Sequence, residues 1–203
     1  FKEEGLKYCE EPEHGSYFVA VDLAGVEEVA KQAANAKKRL DESAIAVVKV
    51  TDDGKWFVKE IEHGRWDIRE TAAKILMKMR DYRPLSIGVE RGALKNAVLP
   101  YLSDLMRKNN VYSHIVDLTH GNRKKADRII WSLQGRFEHG RIVLNSKEDW
   151  DWFTDQLLMF PAQGVHDDGP DALSYIDQLA VTSYFEEAED AEEWEPMDII
   201  AGI

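Results

Sequence analysis

Apolar and polar positions along this chain follow two periods, and each change of period marks a new element. SYFVAVDLA, residues 16–24, is an almost unbroken apolar run closed by a charge, the pattern of a strand buried on both faces. AIAVVKV (44–50) and KWFVKEIEHG (55–64) flank TDDG, and an Asp-Gly pair between two such runs predicts a tight hairpin. The second and third strands are therefore expected to be antiparallel, with the meander forming one edge of the sheet. The period then lengthens. DIRETAAKILMKMRDY (67–82) spaces its apolar residues for a helix with Asp67 as N-cap, and RPLSIGVE (83–90) gives a break and a short buried strand. Beyond it the pattern predicts a helix at 93–109, a strand in VYSHIVDL (111–118) and a helix at 123–139. A strand in RIVLN (141–145), a helix at 148–159 and a helix at 170–185 with Pro170 in its first turn complete the series. VEEVAKQAANAKKRL (26–40) reads as an extra helix inserted between the first two strands. The class is α/β, a mixed sheet of an antiparallel meander plus parallel strands, flanked by helices.

Composition supports a single domain: 203 residues, 44% of them hydrophobic, suffice for one sizeable core. We expect a linker segment at 1–16, the domain at 17–185 and an acidic tail at 186–203. The net charge of −12 argues at first against a nucleic-acid partner, but EEAEDAEEWEPMD (186–198) alone holds eight Asp or Glu and no Lys or Arg. That tail reads as a solvated end, with docking to a basic partner as the alternative. Positive charge concentrates instead in 121–141, with Arg123, Lys124, Lys125, Arg128 and Arg136 as candidate phosphate contacts. Cys9 is the single cysteine, which excludes an internal disulfide and favours a reducing compartment such as the cytosol. No apolar run approaches the roughly 18 residues of a membrane span, and the first residues lack the apolar stretch of a signal peptide. The sequence opens on Phe1 rather than Met and so reads as a piece of a longer chain. Without G-x-x-x-x-G-K-[ST], these residues carry no phosphate-loop ATPase. The C-x-x-C, H-E-x-x-H and G-x-S-x-G patterns are missing too, which removes thiol, zinc-protease and serine-hydrolase chemistry. His14, His63, His114, His120 and His139 are scattered, and surface or hydrogen-bonded roles suit them.

The acidic residues fall at particular places. Asp22 closes the first buried strand, Glu90 closes SIGVE, and Asp167, Asp168 and Asp171 crowd the start of the final helix. In open α/β sheets ligands gather at the carboxyl ends of parallel strands. If the strands ending at Asp22 and Glu90 are neighbours, two carboxylates meet at the end of a hydrophobic sheet, where each needs a counter-charge. A divalent cation supplies it, and Mg²⁺ in particular seeks hard oxygen ligands. Each acid also has a plainer use: Asp22 as a turn or cap, Glu90 as a partner of Arg91, Asp167 or Asp168 as a helix cap. Gly169 and Pro170 argue that the last helix starts too late for Asp167 and Asp171 to share a face.

The succession strand-Asp, hairpin, strand-Glu, then His-Asp-Asp at a terminal helix resembles the RNase H-like nuclease fold. YFVAVDLA (17–24), SIGVERG (86–92) and HDDGPDALSY (166–175) further resemble the C-terminal nuclease domain of large terminase subunits of tailed bacteriophages, over residues 17–180. The resemblance implies a two-metal-ion endonuclease that hydrolyses DNA phosphodiesters, cutting concatemeric viral DNA during genome packaging in the host cytoplasm. It implies two Mg²⁺ or Mn²⁺ ions, with Asp22, Glu90 and Asp167 as catalytic ligands, Asp168 and Asp171 as further metal ligands and His166 as an outer hydrogen-bonding group. It also implies double-stranded DNA as partner, an ATPase domain upstream in the same polypeptide, and contacts with a portal and a small terminase subunit. The insertion at 26–40 departs from the family, which has a shorter link there. A Holliday-junction resolvase or transposase-like nuclease of the same fold, or a non-catalytic docking module, remains as the alternative.

Overall fold

The computed structural model describes residues 1–23, 42–119, 124–162 and 166–180. The helix expected at 26–40, Arg123, the last turn of the final helix and the acidic tail lie outside the described residues. In chain order the elements are β1 (Tyr8–Cys9), β2 (Ser16–Asp22), β3 (Ser43–Val50), β4 (Trp56–Gly64), α1 (Ile68–Tyr82), β5 (Ser86–Glu90), α2 (Ala93–Asn109) and β6 (His114–Leu118). There follow α3 (Lys125–Ile129), a π turn (Ile130–Gln134), α4 (Gly135–Glu138), β7 (Ile142–Asn145), α5 (Asp151–Met159) and α6 (Asp168–Ser174). Residues 176–180 are again helical.

The strands form one mixed sheet in the order β1-β7-β4-β3-β2-β5-β6. The β3–β4 hairpin is the expected one: the Thr51 N–H donates to Lys55 O at 2.9 Å, and Gly54 takes the positive φ of +73° that its tight turn requires. The meander β2-β3-β4 lies in the middle of the sheet, however, and not at an edge. The outer side of β4 is taken by β7, parallel to it with Trp56 opposite Ile142, and β7 in turn pairs with β1. Residues 1–16, expected as a linker, are fastened to this sheet. Beyond β1, Glu11 receives Lys49 at 3.0 Å and Lys59 at 2.8 Å, and Phe1 meets Phe137 and Phe160 edge-on.

Alternation along β2 sorts its side chains between two cores. Val19 and Val21 face α1 and α2 together with Ile45 and Val47; Phe18 and Ala20 face α3 to α6 together with Ala44, Ala46 and Val48. The small residues on the second face let α6 lie against β2, β3 and β4. Asp22, two positions on from Ala20, therefore points to the α6 side. α1 begins where predicted, with the Asp67 carboxylate accepting from the Glu70 N–H at 2.8 Å. The helix expected at 123–139 is present as one unbroken helical run from Lys125 to Glu138, with a π-helical stretch at Ile130–Gln134 that a 3.6-residue pattern does not reveal.

Candidate active site

β2 and β5 run parallel with Val21 opposite Val89, so the next residues, Asp22 and Glu90, project side by side from their carboxyl ends onto the face covered by α6. Asp22 is buried, and its side chain is hydrogen-bonded to that of Glu90. Burial, that hydrogen bond and repulsion from Asp171 hold Asp22 well above the ordinary carboxylate range, with Lys125 pulling weakly the other way.

α6 supplies the opposing acids. It begins at Asp168, two residues before Pro170, because a proline in the first turn sacrifices no intrahelical hydrogen bond. Gly169 permits a close approach to α5: a Cβ there would lie 2.9 Å from side-chain atoms of both Phe153 and Trp152. The early start brings Asp167 and Asp171 together, joined by the Asp171 N–H donating to Asp167 O at 2.8 Å. This reverses the expectation drawn from Gly169 and Pro170. Asp167 stands at the cap position, yet its side chain caps no backbone N–H. Its carboxylate instead meets Lys125 Nζ at 2.8 Å, and the same ammonium lies 2.8 Å from Asp171 Oδ2. The other Asp171 oxygen, Oδ1, accepts from Arg128 Nη2. Burial raises the pKa of Asp171 against the pull of Lys125 and Arg128. Asp168 turns elsewhere, towards His166 Nδ1 at 3.3 Å.

Of the acids singled out in the sequence, buried Asp22 and Asp171 and half-buried Glu90 thus form one group, Asp167 joins it through Lys125, and Asp168 pairs with His166. The basic candidates divide. Lys124 and Lys125 are exposed at the start of α3. Arg128 is buried with its guanidinium 3.9 Å from the Tyr175 ring centre, and Arg136 lies over Trp56 and pairs with Asp177 at 2.6 Å. Arg128 is thus committed inside the fold, whereas Arg136 stays half-exposed with its guanidinium already paired. The sequence did not signal that Lys125 and Arg128 partner the carboxylates, although their spacing of three places them on one helix face. Nor did it mark Tyr175, buried beneath Arg128. His63 is hydrogen-bonded to Glu42 at 2.8 Å and stacked on Trp152, in keeping with the plain role expected of it.

Among the described residues no three His, Cys, Asp or Glu side chains close around a common point as a metal cage. Lys125 stands between two of the acids. No helix among the described residues is long and apolar enough to cross a membrane.

No family model and no curated protein sequence matches the chain. Solved structures do. The large terminase nuclease from thermophilic phage G20c, solved with bound zinc, matches with a TM-score of 0.57 at 15% identity over 85% of this chain and 92% of that one. The large terminase nuclease domain of Thermus phage P74-26 matches with a TM-score of 0.53 at 15% identity, covering 85% and 90%. The fold is RNase H-like. The yeast mitochondrial Holliday junction resolvase Ydc2 shares it, with a TM-score of 0.50 at 11% identity over 85% and 83%. In this RNase H-like sheet, β2 and β5 are the parallel neighbours that the positions of Asp22 and Glu90 called for.

Proposed function

We propose that the chain is a divalent-metal-dependent DNA endonuclease that hydrolyses phosphodiesters, acting as the nuclease domain of a large terminase. The observation that supports it most is the convergence of Asp22, Glu90 and Asp171 at the carboxyl ends of adjacent parallel strands, with Asp167 alongside. Acids outnumber the cations Lys125 and Arg128 there. The donor set fits a hard divalent cation: all its ligating atoms are carboxylate oxygens, and Asp22 and Glu90 touch where burial disfavours an uncompensated negative charge. Asp22, Glu90, Asp171 and Asp167 would hold Mg²⁺ or Mn²⁺. Two such ions, when bound, supply an activated water and stabilise the departing 3′ oxygen.

The protein's own groups do the rest. Arg128 fixes Asp171 through Oδ1, and the buried Tyr175 ring fixes Arg128. Lys124 and Lys125, exposed beside the carboxylates, suit the DNA backbone without reading its sequence. Arg128 is left out of that role by its buried pairing with Asp171, and Arg136 is already paired with Asp177. The upstream ATPase domain, portal, small subunit and host cytoplasm belong to the same proposal.

Supercoiled plasmid incubated with Mg²⁺ or Mn²⁺ tests it. Nicking that stops with a chelator and with Asp22→Asn is expected; cleavage that persists in either case refutes the assignment. The likeness to Ydc2 favours a second reading, a junction resolvase. A four-way junction cut in preference to linear duplex would select it.

A further inference from the structure

Lys125 and Arg128 hold the two oxygens of the same carboxylate in different ways. Arg128 is immobilised: its side chain is 9% exposed, stacked on Tyr175 and bonded to Asp171 Oδ1. Lys125 is 43% exposed and reaches in from the first residue of α3, so its ammonium can withdraw to water by side-chain rotation without repacking any core. Its Nζ lies between Asp167 Oδ1 and Asp171 Oδ2, the latter being the oxygen that Arg128 leaves free on Asp171. It also stands close enough to Asp22 to pull on that carboxyl. An ammonium and a divalent cation do not share these oxygens, because like charges at contact distance repel strongly where solvent is excluded.

We infer that Lys125 is a built-in counter-ion for the carboxylate site, which a divalent cation must displace in order to bind. The inference rests on the proposed metal site and adds a competitor to it. The ammonium satisfies Asp167 and Asp171 while no cation is bound, so the acids do not repel one another apart. Cation binding releases it to the exposed side of α3, beside Lys124. Affinity for the cation is thereby weakened, and loading becomes an exchange of one positive group for another. Arg128 takes no part in the exchange, since its withdrawal would unstack Tyr175.

The test is calorimetric titration of the DNA-free protein with Mn²⁺, comparing wild type, Lys125→Met, Lys125→Arg and Asp22→Asn. Lys125→Met should bind Mn²⁺ roughly tenfold or more tightly than wild type, whereas Lys125→Arg, which keeps the charge, should gain nothing. A folded Lys125→Met that binds equally or more weakly overturns the exchange while leaving the metal site standing, provided wild type binds and Asp22→Asn does not. Absence of Mn²⁺ binding in wild type and Lys125→Met alike removes both the metal site and the exchange. Amine labelling of the wild type keeps the inference testable if the variant misfolds. Acylation of Lys125, followed by peptide mass spectrometry, should rise severalfold when Mn²⁺ is added; labelling that is unchanged or falls overturns the inference.

Discussion

The two ends of β2 hold carboxylates in opposite circumstances. At its start, Glu11 has more donors than it needs: Lys49, Lys59 and the Tyr17 hydroxyl all reach it. Burial opposes its charge, but these hydrogen bonds outweigh burial and hold its pKa down at about 2. At the end of the strand, Asp22 is hydrogen-bonded to Glu90 and feels Asp171, and burial and that company raise its pKa. The first arrangement is complete and fastens the N-terminal segment to the sheet. The second holds more carboxylates than cations, the imbalance on which the proposed metal site rests.

Substitutions at the two ends should therefore differ in kind. The largest effect is expected for Asp22→Asn, which should cut plasmid nicking by roughly 10³- to 10⁴-fold while the melting temperature of the chelator-treated protein holds or rises. Quantitative gel assays and thermal circular dichroism read the two quantities; a large fall in stability alongside the loss would make Asp22 a structural acid. Asp171→Ala should be costly to the fold as well. It strands the buried Arg128 guanidinium, and a loss of about 3–5 kcal/mol in denaturant unfolding is expected for an uncompensated buried charge.

Stability should respond to pH with opposite signs at the two ends. Asp22 has a folded pKa above its ordinary 3.8, so the fold takes up a proton in that window. Its contribution is full below about 3.8 and is lost as pH rises through the raised value. Glu11 has a folded pKa below its ordinary 4.5, so its contribution is present above 4.5 and is lost as pH falls towards about 2. Melting curves of the metal-free protein should show Asp22→Asn flattening the decline towards neutral pH, with Glu11→Gln acting only on the acid limb. The smallest effect is at neutral pH, where Glu11→Gln should cost about 1 kcal/mol or less, because the group is partly solvated, and should leave Mn²⁺ titrations unchanged.

Much of this contrast was legible in the sequence. The apolar run to Asp22, the Asp-Gly turn and the short strand to Glu90 report local periodicity, and the parallel pairing of β2 with β5 makes neighbours of the two acids. What escaped depends on packing. Pro170 looks like the first residue of a helix, but the chain starts the helix at Asp168, and that choice brings Asp171 rather than Asp168 to the carboxylates. Arg128 and Arg136 count as basic surface until Tyr175 and Trp56 give their planar heads a place to stack. The central position of the meander was hidden for a related reason: pairing of β4 with β7 joins residues 86 positions apart, and no local pattern encodes it.

β1 is only two residues long, yet it finishes one side of the sheet. The N–H groups of Leu144 and Ser146 donate outward to Lys7 O and Cys9 O, at 2.8 and 2.9 Å. A shortened protein that starts at Ser16 would leave the apolar strand Ile142–Asn145 with a bare row of backbone donors and acceptors, a template on which other molecules add strand to strand. It would lose the Glu11 clasp and the Phe1 wedge at the same time. The first fifteen residues thus serve as a hem: trimming them would open the sheet to edge-to-edge aggregation.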